Sequence, residues 1–288
     1  MLIPRWLHAL WHRTVVTVRA SLTRPMHSLA GSGCLLVLLA LAPAARALEF
    51  RYNNPFPDGP LAGVARGLTI IGDLVPGDTD RLIEMIRRKP ADAWHALGRV
   101  ELEISGGDLG EALRLADVLA GLYPYMVTRG DCAGACAIAW MSGAWRVLPS
   151  GRIGFQQIAA TPSATGRAAP VDAPPPFDLL ADRLRSYLIK QGLPATSYER
   201  LAATRGNAVY WLSGQEINAM GTWPPYYFQK LHAQCPQLEA SEESFHALRR
   251  CAARLVISQK AFAFDKLLGG VNDSWWNDNK DVFLNVQR

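Results

Sequence analysis

Two short stretches of this chain hold residues whose types and spacing could do chemistry. The first is Ser105-Gly106-Gly107, after a β-rich run and before a helical one. The second is Cys132-Ala133-Gly134-Ala135-Cys136, which again joins a strand-like segment to a helix-like one. Glycine at such corners lets backbone N–H groups approach a ligand atom, and two corners aimed at one point can hold an oxyanion. Gly106, Gly107 and Ala135 are the backbone groups expected to do so. Cys132 and Cys136 offer a second chemistry, because a thiolate at a helix N-terminus is stabilised and nucleophilic. Such a nucleophile needs a base. No serine stands at the second corner, and no histidine follows it. Beyond the N-terminal segment the histidines are His95, His232 and His246, none of them in a motif.

Other chemistry is poorly supported. Cys132-x3-Cys136 lacks the second ligand pair of a zinc site. Asp273, Asp278 and Asp281 fall in Asn272 to Asp281, but without calcium-loop spacing or its glycine, so that stretch reads as a polar loop. No metal and no cofactor are expected. Ser142 reads as core packing and Lys190 as a solvated helix residue, so serine–lysine catalysis is not expected.

The elements that must position these corners follow from apolar periodicity. Leu68 to Ile71 is a buried strand, and a helix runs from Gly77-Asp78-Thr79 to Arg88, stopped by Pro90. Leu82, Ile83 and Ile86 line its buried face. Val100 to Ile104 alternates apolar and acidic residues, the mark of a half-exposed strand. Asp108 is the N-cap candidate of the next helix, with Leu115, Val118, Leu119 and Leu122 inward and Glu111, Arg114 and Asp117 outward. Tyr125 to Thr128 is a strand, and the uncharged Ala135 to Gly143 a buried helix. Arg146 to Leu148 and Ile153 to Gln157 are strands around a turn. Further on come helices over Phe177 to Gln191 and Pro194 to Ala203, a strand over Ala208 to Leu212, and a short helix from Ser213 to Gly221. From Pro224 the sequence predicts one more helix, about Glu242 to Leu255, with Phe245, Leu248, Cys251 and Leu255 on one face. Trp275-Trp276, Phe262, Phe264 and Phe283 read as core or inter-subunit packing. The alternation of strands and helices predicts an α/β fold with mostly parallel strands.

Composition narrows the classes. Apolar residues make up 49% of the 288, ample for a packed core. The net charge of +5 comes from Arg5, Arg13, Arg19, Arg24 and Arg46. The remainder carries 25 basic and 25 acidic side chains. A nucleic-acid binder normally keeps a basic surplus in its folded part, so no nucleic-acid partner is expected. Arg5, Arg13, Arg19 and Arg24 precede the apolar run Leu35 to Leu41, and Ala45-Arg46-Ala47 follows it: the layout of a secretory signal with cleavage after Ala47. Met26 is an alternative start, and an uncleaved anchor, hence a membrane association, is the rival reading. Cys34 precedes the apolar run, so lipidation is not expected.

An exported protein pairs its cysteines more often than not. The favoured pairs are Cys132 with Cys136 and Cys235 with Cys251, although four cysteines allow three pairings. A disulfide at the second corner would remove its thiol chemistry.

Arg99 to Gln157 resembles the Clp protease proteolytic subunit and its secreted bacterial relatives, within the ClpP/crotonase superfamily. The residues that carry the resemblance are the Gly106-Gly107 corner, the two-cysteine frame Cys132 to Cys136, and Gly154-Phe155-Gln156-Gln157. A weaker likeness extends over 68–223, where Trp211 to Glu216 and Ala219-Met220-Gly221 resemble the family's strand, helix and closing glycine. The resemblance implies a spiral of β-β-α units, often assembled into rings, so a homo-oligomer is implied as well. It divides the chain into a signal segment 1–47, an irregular segment 48–67, a ClpP-like domain 68–223 with a flexible Ala/Pro loop 159–176, and a helical C-terminal extension 224–288.

By the same resemblance the family's nucleophilic serine falls on Gly134, its histidine on Gln156 and its aspartate near Val209. Glycine has no nucleophilic atom, an amide takes no proton near neutral pH, and valine orients nothing by hydrogen bonding. Loss of all three argues against serine peptidase chemistry. The crotonase branch holds thioester oxyanions with backbone groups alone, but it uses coenzyme A esters, which an exported protein does not normally meet. Two functions follow. One is an exported, periplasmic, non-catalytic module that binds a peptide or protein segment or acts as a scaffold. The other is a hydrolase with a displaced constellation such as a nucleophile at Cys132 or Cys136.

Overall fold

The fold is organised by β3, Arg99–Gly107, whose alternating pattern turns Val100, Leu102 and Ile104 into the core and leaves Glu103 exposed. It lies in the middle of a five-stranded sheet of order β1-β2-β3-β4-β6, with β1 Glu49–Asn53, β2 Gly67–Leu74, β4 Tyr125–Thr128 and β6 Trp145–Val147. β2, β3, β4 and β6 run parallel, and β1 pairs antiparallel with β2. A second sheet, β5-β7-β8, holds β5 Cys132–Ala133, β7 Ile153–Gln156 and β8 Val209–Trp211. The structure is a computed structural model that describes residues 47–53, 67–156, 176–204, 208–235 and 241–285. Of the signal expected over 1–47, residues 1–46 lie outside the described residues. Of the loop expected over 159–176 only Pro176 is described, as the first residue of a helix.

Helices supply the crossovers that parallel strands require. α1 Asp78–Arg88 and α2 Pro90–Ala96 lie between β2 and β3; α3 Leu109–Leu122 lies between β3 and β4; α4 Ala135–Met141 lies between β5 and β6. Every residue of α4 is buried, as its lack of charge requires. α5 Pro176–Lys190 and α6 Ala195–Ala203 precede β8, and α7 Gly214–Met220 follows it. Ser213 and Glu216 close a reciprocal capping box at the start of α7. α8 Pro225–Gln234, α9 Glu242–Leu268 and α10 Ser274–Leu284 complete the chain. Ala261, Phe264, Leu268 and Trp276 of these last helices sit in the same core as the strands. Among the described residues no helix is long and apolar enough to cross a membrane.

Five expectations need correction. Residues 49–53 are not irregular: Glu49–Asn53 forms β1, paired from Glu49↔Ile71 to Asn53↔Gly67, while 54–66 lie outside the described residues. Alternation over Glu49 to Tyr52 was hidden by the Pro- and Gly-rich sequence after it. Pro90 ends α1 but also opens α2, because proline lacks only the N–H that a first helical residue does not need. Glu111 does not face outward. It is buried and accepts a hydrogen bond from the Thr79 N–H at 2.7 Å, so α3 caps the start of α1. The helix expected to end at Leu255 runs on to Leu268, and Gly269 closes it in a left-handed conformation. Asn272 to Asp281 is not a polar loop: Asp273 caps α10 by accepting from the Trp276 N–H at 2.8 Å. Its Trp276 is the apolar anchor, stacked on Phe283 and packed at a tilt against Trp94 and Phe264.

Candidate functional site

Ser105 of the first corner and Cys136 of the second line one cleft of about 370 Å³ at the carboxyl ends of β3 and β4. Ile104 and Ser105 line one side, Thr128, Arg129, Gly130 and Asp131 another, and Cys136 closes it. Ligands bind at the carboxyl ends of parallel strands because loops and helix starts converge there. β3 is hydrogen-bonded to β4 only from Arg99↔Tyr125 to Leu102↔Thr128. Its last five residues, Glu103 to Gly107, run past the end of β4; on the other side they pair with β2 except at Ser105, where the register shifts in a β-bulge.

The first corner differs from expectation. Ser105-Gly106-Gly107 is not a turn but the end of β3: Ser105 is the extra residue of a β-bulge, after which Asp73↔Gly106 and Leu74↔Gly107 resume the pairing one residue out of register. Gly107 is required there. Its φ is 138°, and a Cβ would stand 2.2 Å from the Leu74 carbonyl oxygen. A Cβ on Gly106 would meet nothing within 4 Å, so that residue borders open space. Asp108 caps α3 by accepting from the Glu111 N–H at 2.8 Å.

At the second corner β5 pairs with β7, Cys132↔Ile153 and Ala133↔Gly154. The Gly134 N–H donates to the Gly154 carbonyl at 3.0 Å, so the glycine is tied to β7 before α4 starts. Gly134 has φ 58° and ψ −119°, a conformation that L side chains adopt only under strain. A strained strand-to-helix turn presents the nucleophile in α/β-hydrolases. Here a Cβ would point at Gln156, 3.5 Å from its Oε1. Gln156 in turn stands opposite Val209 in the β7–β8 ladder. Gly134, Gln156 and Val209, selected from three distant parts of the sequence, therefore occupy one neighbourhood. Ala135 is the first residue of α4, immediately beside it.

Cys132 and Cys136 are joined in a disulfide, Cα–Cα 5.2 Å, and both are buried. This corrects the reading of either as a free nucleophile: a disulfide sulfur carries no thiolate to attack with. The second pair is Cys235–Cys251, Cα–Cα 5.7 Å, linking α8's end to α9. Both pairings are those favoured from the sequence, and two disulfides are compatible with an oxidising location. Ser142 is buried and donates to the Ala139 carbonyl at 2.6 Å, closing the end of α4. Lys190 is exposed, with its ammonium 5.6 Å from the Tyr226 ring.

Charged residues around the cleft were not singled out by sequence reasoning. Arg129 pairs with Glu101, and Asp131 with Arg152. The hydrogen bond from Arg152 holds the exposed Asp131 carboxyl below its usual range. Arg152 also lies over the Trp211 ring at 4.1 Å, tying the cleft rim to β8. The available signal was Arg129-Gly130-Asp131 directly after a parallel strand. Behind β8, Glu216 accepts from the Ser197 hydroxyl at 2.6 Å, the Tyr210 hydroxyl, and the Ser213 N–H and hydroxyl, both at 2.8 Å. Burial pushes the Glu216 carboxyl up, but these donors outweigh it and pull it down to about 2. Among the described residues no group of His, Cys, Asp and Glu side chains is arranged to hold a metal ion.

No protein-family model matches the chain, and no curated protein does. It is similar to several solved structures. An enoyl-CoA hydratase from Shewanella pealeana is 11% identical over 86% of this chain and 91% of its own, with a TM-score of 0.40. A ClpP variant from Listeria monocytogenes is 14% identical over 50% of this chain and 82% of its own, TM-score 0.32. A membrane-bound stomatin-specific protease variant is 15% identical over 50% of this chain and 69% of its own, TM-score 0.32. Likeness at these values concerns fold and says nothing of activity.

Proposed function

We propose that this chain is an exported, non-hydrolytic protein of ClpP/crotonase-like fold that binds an extended peptide segment at the ends of β3 and β4. The observation that carries this reading is Gly134 facing Gln156. The corner keeps a nucleophile's backbone geometry, but where an attacking atom and its base would stand there are a hydrogen atom and an amide. The disulfide removes the neighbouring thiols as substitutes.

The strand end Glu103 to Gly107, beyond the reach of β4, supports the choice of ligand. An extended peptide can continue the sheet by main-chain hydrogen bonds while its side chains read the cleft. Glu103 and Arg129 beside that edge favour peptides bearing both signs of charge.

Titration of a fluorescent, unstructured peptide into the exported protein, with its integrity followed in the same sample, tests this. Saturable binding with the peptide intact is expected. Binding should fall when Ser105 is replaced by proline, which cannot donate to an added strand. Turnover of the peptide would overturn the reading, as would binding indifferent to Ser105→Pro.

A further inference from the structure

Leu48 is the residue that follows the expected signal cleavage point, and its backbone nitrogen meets a buried carboxylate. The Leu48 N–H donates to Asp78 Oδ2 at 3.1 Å, and Asp78 is only 1% exposed. The same oxygen accepts from the Val75 N–H at 2.9 Å. The other carboxylate oxygen accepts from the Arg81 guanidinium, Nε at 3.0 Å, and Arg81 reaches back to the Leu48 carbonyl at 2.6 Å. Leu48 is thus gripped at both its N–H and its carbonyl. Its side chain is 1% exposed within the main core, and β1 starts at the next residue.

We infer that Leu48 is the N-terminus of the processed protein and that its α-ammonium is held by Asp78 as a buried ion pair. In the longer chain, Asp78 Oδ2 faces only neutral amide donors. After hydrolysis of the Ala47–Leu48 bond, water supplies the carboxyl oxygen of Ala47 and the nitrogen of Leu48 leaves as an amine. Protonated, that nitrogen carries a full charge and three donors in place of one. Charge-assisted hydrogen bonds are about twice as strong as neutral ones, and burial of the carboxylate limits screening. The two carboxylate oxygens divide the work, one toward Leu48 and one toward Arg81. Arg81 also lies over the Phe50 ring, 5.8 Å from its centre. The charged groups around this nitrogen are Asp78 and Arg81 on α1 and Asp73 on β2, which bridges to Ala47. Glu49, next in the chain, is occupied by Arg51. The fold therefore recognises removal of the preceding segment and is tightened by it.

The inference shares only the export step with the function proposed above. The test reads the terminus and its environment, without any peptide ligand. Amino-terminal sequencing of the protein recovered after export is expected to begin at Leu48. Its α-amine should react with an acylating reagent about tenfold more slowly than that of a chain released one residue longer, at Ala47, from a cleavable fusion; one unit of raised pKa gives that factor. The processed chain should also melt about 2–4 °C higher than the longer one. Asp78→Asn should bring the labelling rate up to that of the longer chain, and where that variant does not fold the two chain lengths still decide. A different terminus, or equal labelling of the two chains, would overturn the inference.

Discussion

Gly134 faces Gln156 across the turn between β5 and α4: a Cβ on the glycine would stand 3.5 Å from the amide Oε1. That distance is ordinary van der Waals contact, so the side chain of Gln156 leaves room for a larger residue. What keeps position 134 a glycine is its backbone, φ 58° with ψ −119°. Gly134→Ala is therefore expected to cost about 1–3 kcal/mol through strain alone, read by urea unfolding. An unchanged midpoint would mean that the corner relaxes.

Gly107 is held by a different constraint. Its Cβ would be 2.2 Å from a backbone oxygen, that of Leu74, which is itself bonded to the Asp108 N–H at 2.9 Å. Gly107→Ala must push β2 and β3 apart at the cleft and is expected to cost about 3 kcal/mol or more. Gly106→Ala, facing open space, should leave stability nearly unchanged. Equal effects of the two substitutions would contradict the register described for β3.

Two ionisable groups, Glu216 half-buried and Lys260 buried, give pH signatures of the same sign in different windows. Glu216 is pulled down to about 2, below the ~4.3 of an unfolded chain. Its contribution is present above about pH 4.3 and is lost as pH falls toward 2, because the unfolded state takes up the proton first. Glu216→Gln should remove that part of the acid dependence of the melting temperature.

Lys260 lies on α9, buried under Trp94, with its ammonium donating to the Trp94 carbonyl at 2.7 Å and 4.6 Å from the ring. Burial lowers it to about 8, against ~10.4 unfolded. Between these values the unfolded chain holds a proton that the folded one has released, so stability contributed here rises with pH. Lys260→Met should flatten that rise and be neutral to stabilising by up to about 2 kcal/mol at pH 7. A steep loss of stability would show that the ammonium is needed where it lies.

The Cys235–Cys251 bridge fastens α8 to α9 around a small cluster of Tyr227, Leu231 and Leu255. Replacing both cysteines by alanine should cost about 2–3 kcal/mol for a loop of this size. Denaturant melts of the oxidised double variant check this.

The parts of the fold that were legible were those with a strong local period. β3, α3 and α4 could be read because alternation, an Asp108 cap and an uncharged run each specify one outcome. Glu111 was misread because helical periodicity cannot foresee that a carboxylate will be needed to cap a neighbouring helix. β1 and α10 were missed because their partners, β2 and the Trp94 cluster, lie far away in sequence. At the site, Gly134, Gln156 and Val209 were chosen by resemblance, and only the β5–β7–β8 ladder shows why they meet. The charged rim of Arg129 and Asp131 escaped notice because neither residue carries a motif; their significance comes from the end of β4.

The most direct measurement of the central claim is hydrogen exchange, read by mass spectrometry, on the protein mixed with a pool of unstructured peptides. The account predicts slowed exchange at the amides of residues 103–107, with every peptide recovered intact. Peptides recovered as fragments, or exchange at 103–107 that the pool leaves unchanged, would contradict it.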